Sequence, residues 1–359
     1  MRLGFDARIL AHPYNGISTY LLNLIHGFQR KGITEIFLFT DKPVFEGYEG
    51  GIQGTQKIVF GQQMRKNWAR WLLPFHLAKN KIDLYHATWN IGVPFWSPCP
   101  VVVTIYDLFP LLFPSSDFGK QWKYQWNLFI DLSRANRVIA ISEATKKDLQ
   151  RCLKVPERKI RMVPLGISSQ ISKSGPSGRP YLEETYFVSI LGRLAEKRKN
   201  TLKLIQAFRK FREIYPQVQL VIIGTGTVEG IELASGIRIL EKVSNERLFD
   251  LIRGAYLMIH PTLYEGFGLP VLEAMACGVP VVASEAGAIP EVAGSAAMLI
   301  NPLDVESLTA AMMRLMQDHS LRNRLIQLGK KRAMQYNWDR TVEETVSIYQ
   351  ELIKDGARK

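Results

Sequence analysis

The chain has 359 residues, of which 47% are hydrophobic, so it is long enough for two domains and can bury a sizeable core. Cys99, Cys152 and Cys277 are odd in number and far apart, which argues against a disulfide framework or a zinc site and indicates a reducing compartment. The net charge is +13, and residues 1–172 hold 22 Lys and Arg against 12 Asp and Glu, but no nucleic-acid-binding motif accompanies this basic half.

The first half of the chain alternates apolar runs typical of strands with amphipathic runs typical of helices. The predicted strands are Leu3–Asp6, Ile36–Thr40, Ile82–His86, Val101–Ile105 and Val138–Ile141, and the predicted helices are Ser18–Gln29, Met64–Lys79, Gln121–Ala135 and Glu143–Leu153. Ser142 is a natural N-cap for the last helix. This alternation predicts a parallel sheet with helices on both faces.

Residues 168–180 are rich in Ser, Gly and Pro, which indicates a linker. A second series follows, with strands predicted at Tyr186–Leu191, Leu220–Ile223, Ile237–Leu240, Leu257–Ile259 and Val281–Ala283, and helices at Val271–Cys277, Val305–Gln317, Leu321–Gln335 and Arg340–Lys354. The sequence therefore predicts an α/β protein of two doubly wound domains.

The segment from His260 to Glu273 joins the end of a buried strand to a glycine loop and the start of a helix. Pro270 suits a helix start, which places Glu273 in the first helical turns and Glu265 in the loop. Backbone N–H groups in such a loop suit a phosphate, and carboxylates accept hydrogen bonds from sugar hydroxyls. A nucleotide sugar offers both kinds of group.

Glu265 and Glu273 stand eight residues apart, with Gly266-Phe267-Gly268 after the first of them. This segment resembles the glutamate pair of retaining glycosyltransferase family 4, which has the GT-B fold. The resemblance implies two Rossmann-like domains that face each other across a cleft. Residues 1–170 would bind the acceptor, completed by the C-terminal helix 340–359, 171–180 would be the linker, and 181–339 would bind the nucleotide sugar.

The same resemblance implies roles for residues of the second domain. Arg193 and Lys199, six residues apart, would stabilise the leaving diphosphate, although Lys197 is an alternative to Lys199. Glu265 would contact the donor sugar or its developing positive charge, and Glu273 would accept hydrogen bonds from ribose. The remaining donor-binding positions, several of which would act through backbone groups, are Gly224, Val243, Gly266, Phe267, Gly268 and Leu269.

In the first domain, Gly16 lies at a strand-to-helix turn where the family brings a glycine loop to the donor; an ordinary turn is the alternative. Tyr106 stands where the family usually has His, and a Tyr hydroxyl can bind a sugar but is not a base near neutral pH. Asp107 is a candidate for orienting the acceptor or donor, or for capping the following turn. His86 either lines the cleft or is structural.

Two segments mix cations with aromatic residues, one around Trp68, Trp71 and Phe75 and the other at Lys120, Trp122, Lys123 and Trp126. Such helices can lie on an anionic membrane or can pack their aromatic rings into their own domain, which is the interpretation we prefer. The N-terminus lacks the apolar core of a signal peptide, and no apolar run reaches the ~18–20 residues of a membrane span. We therefore expect a cytoplasmic protein, soluble or peripheral at the inner face of the membrane.

Together these features predict a retaining glycosyltransferase that moves a hexose, with a weak preference for mannose, from a nucleotide-diphosphate sugar to a saccharide or lipid-linked glycan. No Asp-x-Asp motif follows a strand, so we expect no metal and no cofactor. The alternatives are a non-catalytic nucleotide-sugar binder and a nucleotide-sugar epimerase of similar architecture. A nicotinamide dehydrogenase is disfavoured because no Gly-x-Gly-x-x-Gly follows the first strand.

Overall fold

The computed structural model describes residues 1–12, 16–60, 68–113, 118–167, 171, 184–227 and 235–356. The chain folds into two compact units, one formed by Met1–Gly166 with Trp338–Lys359 and the other by Ile167–Asn337. Most of the predicted linker, residues 168–170 and 172–180, lies outside the described residues. Within the described chain, no helix is long and apolar enough to cross a membrane.

The first unit is built on a seven-stranded parallel sheet of order β3-β2-β1-β4-β5-β6-β7. Its strands are β1 Leu3–Asp6, β2 Ile36–Thr40, β3 Gln56–Val59, β4 Leu84–Ala87, β5 Val101–Ile105, β6 Arg137–Ala140 and β7 Ile160–Met162. The five predicted strands are confirmed. The sequence did not reveal β3 and β7, because β3 is an exposed edge strand without an apolar run and β7 has three residues.

The helices of the first unit cover this sheet. They are α1 Gly16–Arg30, α2 Trp68–Trp71, α3 Leu73–Lys79, α4 Phe109–Leu112, α5 Phe118–Arg134 and α6 Glu143–Leu153. The predicted cap is confirmed, since Ser142 Oγ accepts a hydrogen bond of 3.0 Å from the Thr145 amide. The single helix predicted at Met64–Lys79 is wrong in its described part, because α2 and α3 are separate segments and Pro74, which has no N–H to donate, lies in the first turn of the second.

The preferred interpretation of the aromatic segments is also largely wrong. Trp68 is buried, as that interpretation requires. Trp71, Phe75, Trp122 and Trp126 are instead exposed, by 53–67% of their surface. The i, i+4 spacing of Trp122 and Trp126 places them on the same side of α5, and that side faces solvent.

The second unit has a six-stranded parallel sheet of order β10-β9-β8-β11-β12-β13. Its strands are β8 Tyr186–Arg193, β9 Gln219–Thr225, β10 Ile237–Leu240, β11 Leu257–His260, β12 Val281–Ser284 and β13 Met298–Ile300. Its helices are α7 Thr201–Ile214, α8 Asn245–Gly254, α9 Leu269–Ala276, α10 Ile289–Ala293, α11 Val305–Gln317 and α12 His319–Ala333. The predicted α/β class with two doubly wound sheets is confirmed.

The last helix, α13 (Trp338–Gly356), packs on the first unit against α1. A Cβ atom on Gly27 would lie 2.3 Å from Val342 Cγ2, so glycine allows the two helices to approach closely. The Trp338 ring lies 6.1 Å from that of Tyr20, and the Glu351 carboxylate pairs with Arg137 at 2.6 Å. A polar network in the core strengthens this attachment.

His86 lies at the centre of that network, so its side chain does not line a ligand-binding surface. Its ring is fully buried, with Nδ1 2.5 Å from Tyr349 Oη on α13 and Nε2 2.7 Å from Thr104 Oγ1 on β5. The Thr104 hydroxyl also lies 3.1 Å from Tyr20 Oη on α1. Burial lowers the pKa of His86 to about 3, so the ring is neutral and joins two strands to two helices.

This burial predicts a specific dependence of stability on pH. The folded pKa of His86, about 3, lies below the ordinary value of 6.5, so the unfolded chain takes up this proton first as pH falls. The stabilisation is complete above pH ~6.5 and is lost toward pH ~3, at about 1.4 kcal/mol per pH unit. We expect the free energy of unfolding, measured in urea, to be lower at pH 5 than at pH 7 in the wild type. In His86→Gln this decrease should be smaller by about 2 kcal/mol. Equal losses in both proteins would contradict the assignment.

Candidate functional site

Strands β8 and β11 lie side by side at the centre of the second sheet, so their carboxyl ends are neighbours. From β8 the chain continues to β9, toward one edge of the sheet, and from β11 it continues to β12, toward the other edge. The strand order therefore reverses between β8 and β11. In open parallel sheets, ligands bind at the carboxyl ends of the strands where this reversal occurs. Arg193 ends β8 and His260 ends β11, and the loops that follow them carry the predicted Lys199 and Glu265.

Glu265 is held by two cations from the loop after β8. Lys199 Nζ lies 2.8 Å from Glu265 Oε1, and Arg198 Nη1 lies 3.1 Å from Oε2, with all three side chains largely buried. Burial by itself would raise the pKa of Glu265, but the neighbouring His260 ring and the charges of Lys199 and Arg198 outweigh it and hold the pKa well below its usual range. The carboxylate is therefore ionised at neutral pH and keeps a positive pair in place.

The charged cluster continues toward solvent through Glu196. One oxygen of Glu196 lies 2.9 Å from Arg198 Nε and the other lies 2.5 Å from Arg193 Nη2. Arg193 is 79% exposed, whereas Lys199 is buried and Lys197 is exposed. The cluster thus has fixed inner cations and an outer arginine that is accessible to an anion.

Arg198 and His260 are site residues that the sequence did not single out. His260 is completely buried, and its Nε2 lies 3.6 Å from Glu265 Oε1, too far for a hydrogen bond. Within the described part of the chain, neither ring nitrogen of His260 has a hydrogen-bond partner. A burial pattern could have indicated the His at the strand end, but only the folded structure shows that Arg198 turns inward.

Backbone contacts fix the two loops against each other. Asn200 adopts a left-handed conformation with φ 57°, and its Nδ2 donates to the carbonyls of Pro261 at 2.9 Å and Pro302 at 2.6 Å. The Leu263 amide donates to the Arg198 carbonyl at 2.7 Å. These hydrogen bonds hold the two loops together, so the cations lie beside Glu265 for reasons of backbone structure as well as charge attraction.

A third loop supports Glu265 from behind. Gly287 has φ +60°, and a Cβ atom there would lie 2.6 Å from the Glu265 carbonyl oxygen. The Ala288 amide donates to that same carbonyl at 3.0 Å. Only glycine allows this approach, so the loop after β12 determines where the Glu265 backbone lies.

The glycine loop after Glu265 leads directly into α9, as the sequence predicted. Gly268 is the N-cap with φ 108°, and a Cβ atom there would lie 2.5 Å from Ile289 Cδ1. The ring of Phe267 is buried and lies 5.7 Å from that of Tyr336, while Leu269 begins the helix. The helix N-terminus, and the Gly266 region before it, thus adjoin the cationic cluster.

Glu273 lies on α9 and is half-buried. Its carboxyl group has no hydrogen-bond or ion-pair partner among the residues that the structure describes. Burial raises the pKa of Glu273 to about 7. A half-buried carboxyl group without a partner among the described residues has a capacity for hydrogen bonding that a ligand could use.

Two other predicted donor-binding residues lie at neighbouring strand ends of the same sheet. A Cβ atom on Gly224 would lie 2.5 Å from the Gly192 carbonyl oxygen, so this glycine is required by the close pairing of β8 and β9. Val243 is half-buried and precedes Ser244, the N-cap of α8. Nearby, the Gly226 amide donates to Glu241 Oε1 at 3.2 Å, which joins the loops after β9 and β10.

Gly16, Tyr106 and Asp107 belong to the other unit. Gly16 begins α1 and is exposed. The hydroxyl of Tyr106 is buried and donates to the Thr88 carbonyl at 3.0 Å, so within the described residues it is engaged by its own domain. Asp107 Oδ1 accepts a hydrogen bond from the Phe109 amide at 3.1 Å, which is the capping role weighed as its alternative.

No group of three or more His, Cys, Asp or Glu side chains in the described residues is arranged to hold a metal ion. The acidic and imidazole side chains of the cluster instead contact its cations or one another. Glu265 is neutralised by Lys199 and Arg198, Glu196 pairs with Arg198 and Arg193, and His260 lies beside Glu265. A donor set of this kind is suited to an anion and not to a divalent cation.

Known structures share the fold of this chain. Sucrose-phosphate synthase from Thermosynechococcus elongatus superposes with a TM-score of 0.80 at 19% identity, covering 99% of this chain and 100% of that one. HepE from Anabaena, in complex with UDP and glucose, gives a TM-score of 0.79 at 18% identity and covers 98% and 100%. The two doubly wound domains are those of a GT-B glycosyltransferase.

Sequence comparison identifies the family. The profile of glycosyl transferases group 1 matches residues 179–332, and that of glycosyltransferase family 4 matches residues 14–170. The chain is 30% identical over 273 residues to O-antigen chain mannosyltransferase B of Escherichia coli, and this alignment covers 70% of each protein. The chain therefore belongs to glycosyltransferase family 4, and its second half matches the glycosyl transferases group 1 model.

The cluster makes a testable prediction about stability. Glu265→Gln leaves two buried cations without their counter-charge and should lower the free energy of unfolding by about 3 kcal/mol. A double-mutant cycle with Lys199→Met should give a coupling of about 1–3 kcal/mol in urea unfolding, because the two residues share one contact. The matched control is the exposed pair Lys210–Glu306, changed to Met and Gln, where solvent screening should make the coupling much smaller. Equal couplings in the two cycles would show that the Glu265 pair has no special role.

Proposed function

We propose that the protein is a retaining, metal-independent glycosyltransferase that acts in the cytoplasm. It transfers a hexose from a nucleotide-diphosphate sugar to a hydroxyl of a saccharide or lipid-linked glycan. The observation that carries this proposal is the cationic cluster of Arg193, Arg198 and Lys199, held by Glu265 beside the N-terminus of α9. Family membership supports the reaction class, and the fixed positive charge of the cluster supports diphosphate binding there.

The cluster suits a leaving diphosphate on electrostatic grounds. As the bond to the sugar breaks, negative charge grows on the phosphate oxygens, and fixed cations stabilise that charge more than they stabilise the intact donor. Lys199 and Arg198 are already held in position, so little reorganisation is needed when the charge develops. Arg193 is exposed and can exchange Glu196 for a phosphate, where its planar group can bind two oxygens at once.

The carboxylates have separate proposed roles. Glu273 accepts hydrogen bonds from the ribose hydroxyls, which would provide the partners that its side chain lacks among the described residues. Glu265 orders the cations and stabilises positive charge at the anomeric carbon. The amides from Gly266 to Leu269 approach the sugar and phosphate, with Gly224 and Val243 near the base.

Residues of the first unit have proposed supporting roles. Gly16 would allow its loop to approach the donor, while Tyr106 and Asp107 would shape the place where sugar and acceptor meet. The leaving phosphate itself would deprotonate the incoming hydroxyl on the same face of the sugar, so that the anomeric configuration is kept without a protein nucleophile. The donor proposed first is GDP-mannose, in view of the mannosyltransferase relative, with UDP-glucose second in view of HepE.

Donor binding is the first test. A ligand at 100 times its dissociation constant stabilises a protein by about 2.7 kcal/mol, which is readily seen as a rise in melting temperature. We expect one sugar in a panel of GDP, UDP, ADP and dTDP sugars to raise the melting temperature equally with and without EDTA. Stabilisation lost in EDTA would refute metal independence, and no shift with any donor would refute a preformed donor site.

Turnover tests the individual roles. Arg193→Ala and Glu273→Ala should each lower the turnover of the identified donor by about 100-fold or more, since each removes a group that stabilises charge or positions the nucleotide. The melting temperature of both variants should stay near that of the wild type, because Arg193 is exposed and Glu273 has no partner to lose among the described residues. Arg324→Ala, an exposed arginine on α12, is the matched control and should retain full activity. Near-normal turnover in either site variant would remove that residue from the mechanism.

A further inference from the structure

The exposed aromatic rings of the protein are concentrated in one region. Within the described residues, every exposed Trp or Phe side chain belongs to a set that we call the aromatic face: Trp71, Phe75, Trp96, Trp122, Trp126 and Phe129. These side chains are 47–67% exposed. Single exposed apolar residues are ordinary, but a group of six large rings marks a binding surface.

The segments that carry the aromatic face adjoin one another. The ring of Phe75 lies 5.5 Å from that of Trp96, and Trp71 lies 4.8 Å from Phe95. On α5, the rings of Trp122, Trp126 and Phe129 follow one another at 5.8 and 6.1 Å.

Polar contacts join these segments. Arg70 Nη2 donates to Asn127 Oδ1 at 2.7 Å, which ties α2 to α5. The Arg134 guanidinium, at the end of α5, lies 4.9 Å from the centre of the Phe95 ring. The six rings therefore belong to neighbouring elements of one unit and present a common surface.

Within the segments that carry the aromatic face, the charges at the surface have one sign. Residues 68–79, 91–100 and 118–134 carry five cations, namely Arg70, Lys79, Lys120, Lys123 and Arg134. Their one acidic residue is Asp131, which is buried and accepts a hydrogen bond from the Gly92 amide. Tryptophan together with lysine and arginine is the composition of segments that bind in the headgroup layer of an anionic bilayer.

We propose that the aromatic face docks the protein on an anionic lipid bilayer. The rings enter the boundary between headgroups and acyl chains, while Lys79, Lys123 and their neighbours pair with lipid phosphates. The free energy comes from apolar area removed from water together with attraction to the negative surface, so binding should weaken at high salt. This docking does not depend on which sugar or acceptor the enzyme uses.

The test is co-sedimentation of the full chain with vesicles of phosphatidylcholine, either alone or mixed two to one with phosphatidylglycerol. We expect binding to the anionic vesicles only. Trp122→Ser combined with Trp126→Ser should weaken it at least about tenfold, because two interfacial anchors are lost. Lys79→Gln combined with Lys123→Gln should weaken it about thirtyfold, since each cation near the surface contributes about 1 kcal/mol.

The matched control is Leu303→Ser with Met334→Ser, which removes two exposed apolar side chains of the other unit and should leave vesicle binding unchanged. Circular dichroism and donor-induced thermal stabilisation verify that each variant is folded, because the substituted rings are exposed. Absence of binding to anionic vesicles, or equal binding by the tryptophan variant, would overturn the proposal. A different result would also overturn it: the wild type does not bind vesicles, and light scattering shows that it is a dimer which the tryptophan substitutions dissociate. The aromatic face would then be covered by a second copy of the chain.

Discussion

The ion pairs of Glu265 with Lys199 and Arg198 are the contacts on which the proposed site depends. Two adjacent cations in a largely buried loop repel each other and would be costly without a counter-charge. Glu265 supplies that charge from the loop after β11, one oxygen to each cation. The same contact therefore stabilises the fold locally and keeps positive charge ready for an anionic ligand.

This contact exists because of the sheet topology. Strands β8 and β11 are neighbours in space but are far apart in the chain, and their carboxyl ends bring the two loops together where the strand order reverses. Asn200 and Gly287 then hold the loop backbones, the first through two hydrogen bonds and the second by the absence of a side chain. Catalysis by fixed charges requires such support, because a cation that must move into place loses much of its advantage. The rigidity of the surrounding backbone is thus part of the proposed chemistry.

The sequence predicted the central strands and long helices well, because buried parallel strands read as apolar runs and amphipathic helices have a clear period. It missed β3, β7 and β13, which are short or lie at sheet edges and bury too little to leave a pattern. It placed Glu265 and Lys199 in loops that the structure brings together. It could not show that Lys199 pairs with Glu265 itself.

Residues whose roles depend on three-dimensional packing were beyond the sequence. Arg198 turns inward between two carboxylates, although its neighbour Lys197 is exposed and looks equivalent in the chain. The His86 ring is enclosed by helices distant in sequence, among them α13, so its neutral state follows from contacts that no local pattern encodes. The exposed rings of Trp122 and Trp126 were expected in a core because large aromatic side chains are usually buried.

Hydrogen–deuterium exchange with and without the nucleotide sugar is the most direct measurement of where the donor binds. If the charged cluster is the donor site, amides in residues 193–201, 263–273 and 286–289 should become protected, because the bound ligand covers these loops and suppresses their local opening. The changes should be absent in Glu265→Gln at the same donor concentration. Protection confined to other segments, or identical protection in that variant, would contradict the account.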